Sequence, residues 1–91
     1  MAQRGNYRQD YELGLQRRFF DALAATDTPL STFAAAAGVY RQKYVDMRQD
    51  LRHGLADCKH RLDAAALAHI CVKYGVSGNW LLTGKGTMYE N

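Results

Sequence analysis

Residues 33–48 read FAAAAGVYRQKYVDMR, and this stretch is the most informative feature of the chain. The run of alanines favours a helix, and glycine at position 38 can end that helix because it adopts left-handed backbone conformations without strain. A second helix should then begin at Tyr40 or Arg41. It would open with three long hydrogen-bonding side chains, Arg41, Gln42 and Lys43. A helix of this kind, braced by another helix, can enter the major groove of DNA.

The composition sets the broad class of protein. The chain has 91 residues, of which 47% are hydrophobic and 23% charged, as is usual for one small globular domain. The net charge of +3 permits binding to nucleic acid. No apolar run approaches the roughly 20 residues of a membrane span, and the first residues lack the apolar region of a secretory signal. We therefore expect a cytoplasmic protein that does not enter the membrane.

The spacing of apolar residues predicts an all-α fold, a compact bundle of about five helices with a helix-turn-helix at helices 2 and 3. Residues 1–9 are polar and should form a flexible arm, which leaves residues 10–91 as the folded domain. The expected helix starts are Asp10 as the N-cap of helix 1, Thr28 as N-cap with Pro29 as first residue of helix 2, Asp63 as N-cap of helix 4 and Ser77 as N-cap of helix 5. The side chains with inward helical spacing are Leu15, Phe19, Ala22, Leu23, Tyr44, Met47, Leu51, Leu67, Ile70, Cys71 and Tyr74.

A second informative stretch, residues 74–86, reads YGVSGNWLLTGKG. With the apolar frame of residues 33–47, it resembles the lambda-repressor-like helix-turn-helix superfamily, and the phage repressor helix-turn-helix family most of all. The resemblance covers residues from about 10 to 89. It implies a five-helix bundle that binds operator DNA as a dimer. Two features depart from the family pattern: Tyr40 takes the place of a small polar N-cap, and the segment 48–61 is longer than usual.

The resemblance places the base-reading positions on Arg41, Gln42, Val45 and Asp46. Their chemistry suits that role. Arginine can bind guanine O6 and N7, glutamine can bind adenine N6 and N7, valine can touch a thymine methyl, and aspartate can accept from cytosine N4. Because Asp46 would also repel phosphate, an ion pair with Lys43 is its favoured role.

Three further cations on helix 3 and at its end are the predicted phosphate contacts: Lys43, Arg48 and Arg52. Six others are predicted to be solvated charges: Arg17, Arg18, Lys59, Arg61, Lys73 and Lys85. The expected partner is double-stranded DNA with a roughly palindromic site, bound by a homodimer.

Other classes of function have weaker support. The two serines, Ser31 and Ser77, lie at expected helix starts, so neither indicates a catalytic nucleophile, and no enzyme activity is predicted. Zinc binding would need Cys58, His60, His69 and Cys71, but His69 and Cys71 are two apart on a helix and diverge by about 200°. No metal or cofactor is therefore predicted. The stronger alternative is a helical protein-interaction module, which an apolar exposed surface on helix 3 would favour.

Overall fold

A computed structural model describes residues 3–54 and 60–89 of the chain, with side chains from Asp10 onward. It contains five α-helices: α1 Gln3–Thr26, α2 Leu30–Ala37, α3 Arg41–Arg52, α4 Ala64–Tyr74 and α5 Gly78–Thr83. Within these ranges there is no strand, only an isolated antiparallel bridge between Val76 and Tyr89. The predicted all-α bundle of about five helices is confirmed. None of the described helices is long and apolar enough to cross a membrane.

The first helix begins earlier than predicted. α1 starts at Gln3, so Asp10 lies inside the helix and is not its N-cap. The backbone of the predicted arm is therefore helical from Gln3 onward and continuous with α1, while Met1 and Ala2 lie outside the described residues. Glutamine and arginine, which recur between positions 3 and 9, have high helix propensity. No apolar pattern marks this start of α1 in the sequence.

The start of α2 is also shifted, by one residue. Pro29 is its N-cap, because the Phe33 N–H donates to the Pro29 carbonyl at 3.0 Å. Thr28 is not the N-cap, and its hydroxyl donates instead to the Tyr74 hydroxyl at 3.2 Å. The end of α2 is as predicted: Gly38 has φ of 75°, and its N–H donates to the Ala34 carbonyl.

Phe19 lies at the centre of the hydrophobic core and is fully buried. Its ring centroid is 5.6 Å from that of Phe33 and 5.8 Å from that of Tyr44, so one side chain of α1 contacts both helices of the helix-turn-helix. The other buried hydrophobic residues packed in this core are Ala22, Leu23, Leu30, Met47, Ala66, Ile70, Val76 and Leu81. Leu15, Leu67, Cys71 and Tyr74, which were also predicted to face inward, are partly buried against it.

Two polar side chains of α1 bind distant backbone. Gln16 is buried, and its Nε2 donates to the His60 carbonyl at 2.9 Å. Arg18 donates from Nε to the Leu81 carbonyl at 2.8 Å and from Nη2 to the Leu82 carbonyl at 3.2 Å. The prediction of Arg18 as a solvated charge is therefore wrong, because its guanidinium binds carbonyls at the end of α5 that have no partner within the helix.

The carboxyl-terminal segment packs back onto the bundle. The Ser77 hydroxyl accepts from the Trp80 N–H at 3.2 Å, so the predicted cap of α5 is confirmed. The Ser77 N–H donates to the Met88 carbonyl at 2.7 Å, and Met88 is packed against the core. α5 itself packs against α1, where it receives the hydrogen bonds of Arg18.

Candidate nucleic-acid interface

The amino-terminal end of α3 is the candidate interface. α3 begins at Arg41 after Tyr40, which has an extended backbone and forms no side-chain cap. The first N–H groups of a helix have no partner within the helix, so here they remain available to an acceptor outside it. Arg41 and Gln42 are exposed in this first turn. This end of α3 therefore offers backbone and side-chain donors together.

The four predicted base-reading residues do not share one environment. Arg41 and Gln42 are exposed, whereas Val45 and Asp46 are half-buried. Val45 packs against the core, which leaves less of its surface for a base. The Gln42 Nε2 donates to Asp46 Oδ1 at 3.0 Å, a side-chain pair four residues apart on the helix. Arg41 and Gln42 are thus the most accessible members of the set.

Lys43 does not form the predicted ion pair with Asp46. Its Nζ lies 3.1 Å from Asp63 Oδ1, at the start of α4, and the prediction is wrong on this point. Helical spacing identifies neighbours only within one helix, and Asp63 is 20 positions along the chain from Lys43. Lys43 is therefore partly engaged within the protein, and a phosphate would have to compete with a carboxylate for its ammonium group.

Tyr44 completes the junction between α3 and α4. It is fully buried, and its hydroxyl donates to Asp63 Oδ2 at 2.8 Å and accepts from the Asp63 N–H at 2.8 Å. Burial raises the pKa of the Tyr44 phenol far above its ordinary value, with the Asp63 carboxylate adding to that direction. The same hydrogen bond, and then Lys43, lower the pKa of the Asp63 carboxyl. The neutral phenol and the charged carboxylate are thus the forms that stabilise the junction.

Asp63 is at the predicted position but has a different role. It is the N-cap residue of α4 by backbone conformation, yet its side chain makes no capping hydrogen bond. Both carboxylate oxygens bind α3 instead. A fully buried tyrosine hydroxyl needs a polar partner, and this was the sequence signal that could have linked Tyr44 to a carboxylate. The signal does not say which carboxylate.

The two remaining phosphate candidates are unengaged. Arg48 is half-buried and Arg52 is exposed near the end of α3. Within residues 10–54 and 60–89, neither side chain takes part in a hydrogen bond or ion pair. Both guanidinium groups are therefore available to an anion.

His69 and Cys71, two residues of the alternative zinc site, make packing contacts in this structure. His69 packs its ring against Phe33, with centroids 5.1 Å apart, and against Tyr74, while Cys71 is packed against the core. Cys58 lies outside the described residues. Among the residues that the structure describes, no group of three or more histidine, cysteine or acidic side chains could hold a metal ion.

The comparisons with known proteins do not identify a family for this chain. No family model matches the chain, and neither the curated proteins nor the solved structures contain a significant match. The likeness to phage repressors thus stays a prediction from the residues quoted above.

Proposed function

We propose that this protein binds double-stranded DNA sequence-specifically, as a transcriptional regulator of the phage repressor type, with α3 in the major groove. One observation carries the proposal. The short connection between α2 and α3 contains Gly38 in the left-handed backbone conformation. The first helical turn of α3 exposes Arg41 and Gln42. These are the side chains best suited to guanine and adenine edges.

The charge on α3 favours DNA over a protein partner. The helix carries four basic residues, Arg41, Lys43, Arg48 and Arg52, against two acidic ones, Asp46 and Asp50. Its large apolar residues, Tyr44 and Met47, are buried, and Val45 and Leu51 are half-buried. A polar, cationic surface of this kind suits a phosphate backbone, which supplies most of the affinity in such complexes.

The pair of Gln42 and Asp46 is compatible with base reading. A glutamine amide has two N–H donors and one carbonyl acceptor. One N–H can remain on Asp46 at the observed 3.0 Å, while the other N–H and the carbonyl bind N7 and N6 of one adenine. Asp46 would then fix the orientation of the amide rather than read a cytosine itself.

Phosphate binding falls mainly to Arg48 and Arg52. Both are without an internal partner, whereas Lys43 holds Asp63. Backbone N–H groups at the start of α3 add donors of the kind that often bind phosphate. One short helix reads few bases, so the protein should bind as a homodimer on half-sites about 10 base pairs apart.

Selection of bound duplexes from a random pool, followed by salt titration, tests the proposal. Affinity should fall by orders of magnitude between low and moderate salt when several phosphates are contacted. Arg41→Ala should cost about 1–3 kcal/mol on the selected site and relax choice at one base position. Lys73→Ala, which removes an exposed cation from α4, is the matched control and should keep the wild-type preference.

Failure to bind duplex DNA would favour the alternative function, a helical protein-interaction module. Val72 on α4 is 86% exposed and Leu82 on α5 is 58% exposed, which is apolar surface that a partner or a second copy of the chain can cover. A protein that fails to retain any duplex at low salt, yet is fully folded, would make this second function the better explanation.

A further inference from the structure

A groove between α1 and α3 is not used by the proposed contacts to bases. It has a volume of about 320 Å³. Three cations line it: Arg17 from α1, and Arg48 and Arg52 from α3. Sites for small molecules usually begin at about 300 Å³ and combine apolar walls with a few polar groups. The groove is therefore of a size for a small ligand.

Its electrostatics favour an anion. Arg17, like Arg48 and Arg52, forms no hydrogen bond or ion pair with any residue that the structure describes. Asp21 is the one acidic residue among those that line the groove, so three arginines are set against a single carboxylate. Guanidinium binds carboxylate in a two-pronged, charge-assisted geometry that is stronger than a neutral hydrogen bond. An acidic group in the groove would offset the excess positive charge.

Its other surface is apolar. Phe20 and Leu51 are half-buried and Leu23 is buried, and all three line the groove. Phe20 contacts Phe19 and Tyr44 edge-on, with centroids 5.1 and 6.5 Å away, so its ring is held in place. A ligand with an apolar body can bury surface here, whereas inorganic phosphate or a sugar–phosphate backbone cannot.

We propose that this groove binds a small amphipathic organic anion, a carboxylic acid with an apolar body. The carboxylate lies among Arg17, Arg48 and Arg52, and the apolar body lies on Phe20 and Leu51. This binding does not depend on the proposed function. If that function holds, Arg48 and Arg52 are shared with phosphate, so the acid and DNA compete for them.

The test uses 4-phenylbutyrate as probe and 4-phenylbutyramide as its neutral counterpart. Each is titrated into ¹⁵N-labelled full-length protein without DNA, and amide chemical shifts are followed. The carboxylate should perturb Phe20, Leu23 and Leu51, and the amide should not. Arg17→Gln and Arg52→Gln should each weaken carboxylate binding about tenfold, the effect of losing one hydrogen bond to a charged group. Both residues are exposed, so folding should survive.

Lys73→Gln is the matched control, because it removes an exposed cation outside the groove. The proposal is overturned if the shifts map away from the groove, if the amide binds as well as the carboxylate, or if Lys73→Gln weakens binding as much as Arg17→Gln. Since DNA is absent from the experiment, none of these outcomes bears on the DNA-binding proposal.

Discussion

Tyr44→Phe is the change that tests the junction between α3 and α4 most directly. It removes one oxygen and keeps the ring, which is fully buried beside Phe19. Two hydrogen bonds disappear with that oxygen, one donated to the Asp63 carboxylate and one accepted from the Asp63 N–H, each 2.8 Å long. The packing of the core should otherwise be retained.

The expected loss of stability follows from those two bonds. A hydrogen bond to a charged group contributes about 1.5–3 kcal/mol, and a neutral one about 0.5–1.5 kcal/mol. The Asp63 side chain is 41% exposed, so water can replace part of what it loses. We therefore expect Tyr44→Phe to lower the free energy of unfolding by about 2 kcal/mol. For a domain of this size, that corresponds to a fall in Tm of about 8–16 °C.

Urea unfolding, followed by far-UV circular dichroism and by the fluorescence of Trp80, measures this loss. The midpoint should move while the m-value stays constant, since the surface exposed on unfolding does not change. Tyr40→Phe is the matched control: it makes the same chemical change at a side chain that is 74% exposed, and should alter stability by less than about 0.5 kcal/mol. If the two variants are equally stable, the hydroxyl of Tyr44 does not stabilise the junction and our reasoning fails.

Three further changes probe the charge of Asp63 at the same junction, the backbone at Gly38 and the contact of Arg18 with α5. The hydrogen bonds from Tyr44 and Lys43 lower the pKa of Asp63, so the stability that its carboxylate adds is present above the ordinary pKa of 3.8 and is lost as the pH falls below it. Asp63→Asn should therefore lose less stability than the wild type between about pH 5 and pH 2. Parallel curves of unfolding free energy against pH for the two proteins would contradict this. Gly38→Ala should lower the free energy of unfolding in urea by about 1–2 kcal/mol, because φ is 75° at this position. Gly78→Ala is the control, since that glycine also has open space around it but no positive φ, and it should cause no loss. Equal losses of stability in the two variants would refute the backbone argument. Arg18→Gln should cost about 1–2 kcal/mol and speed hydrogen exchange in α5, while Arg17→Gln next to it should do neither.

The parts of this fold that follow from local chemistry were predictable from the sequence. Gly38 ends α2 and Ser77 caps α5 because each acts on backbone within a few residues of itself. The buried positions of Phe19, Tyr44 and Ile70 follow from helical periodicity. The starts of the helices were harder to predict from the sequence. No apolar residue marks Gln3 as the start of α1, and Pro29 is compatible with both the N-cap and the first position of α2.

The candidate site was less predictable, because its partners are distant along the chain. Lys43 and Asp46 are a plausible pair by spacing alone, but the bundle brings Asp63 to Lys43. The sequence alone likewise predicts a solvated charge at Arg18, since nothing local marks the carbonyl of Leu81 as its acceptor. Lysine and arginine are usually at the surface, and that general tendency gives no information about individual tertiary contacts.

The bonds of Arg18 also have a consequence for the order in which the chain folds during synthesis. The acceptor at Leu82 is 64 positions later in the chain. At the usual rate of about 5–20 residues per second, the ribosome adds that stretch in about 3–13 s. During this time the α5 carbonyls that Arg18 binds have not yet been synthesised. α2 and α3 are synthesised within this interval, and the rings of Phe33 and Tyr44 on these helices pack against Phe19 of α1. Leu81 of α5 belongs to the same buried cluster as Phe19 of α1, so a nascent chain that has not yet reached α5 lacks part of its hydrophobic core.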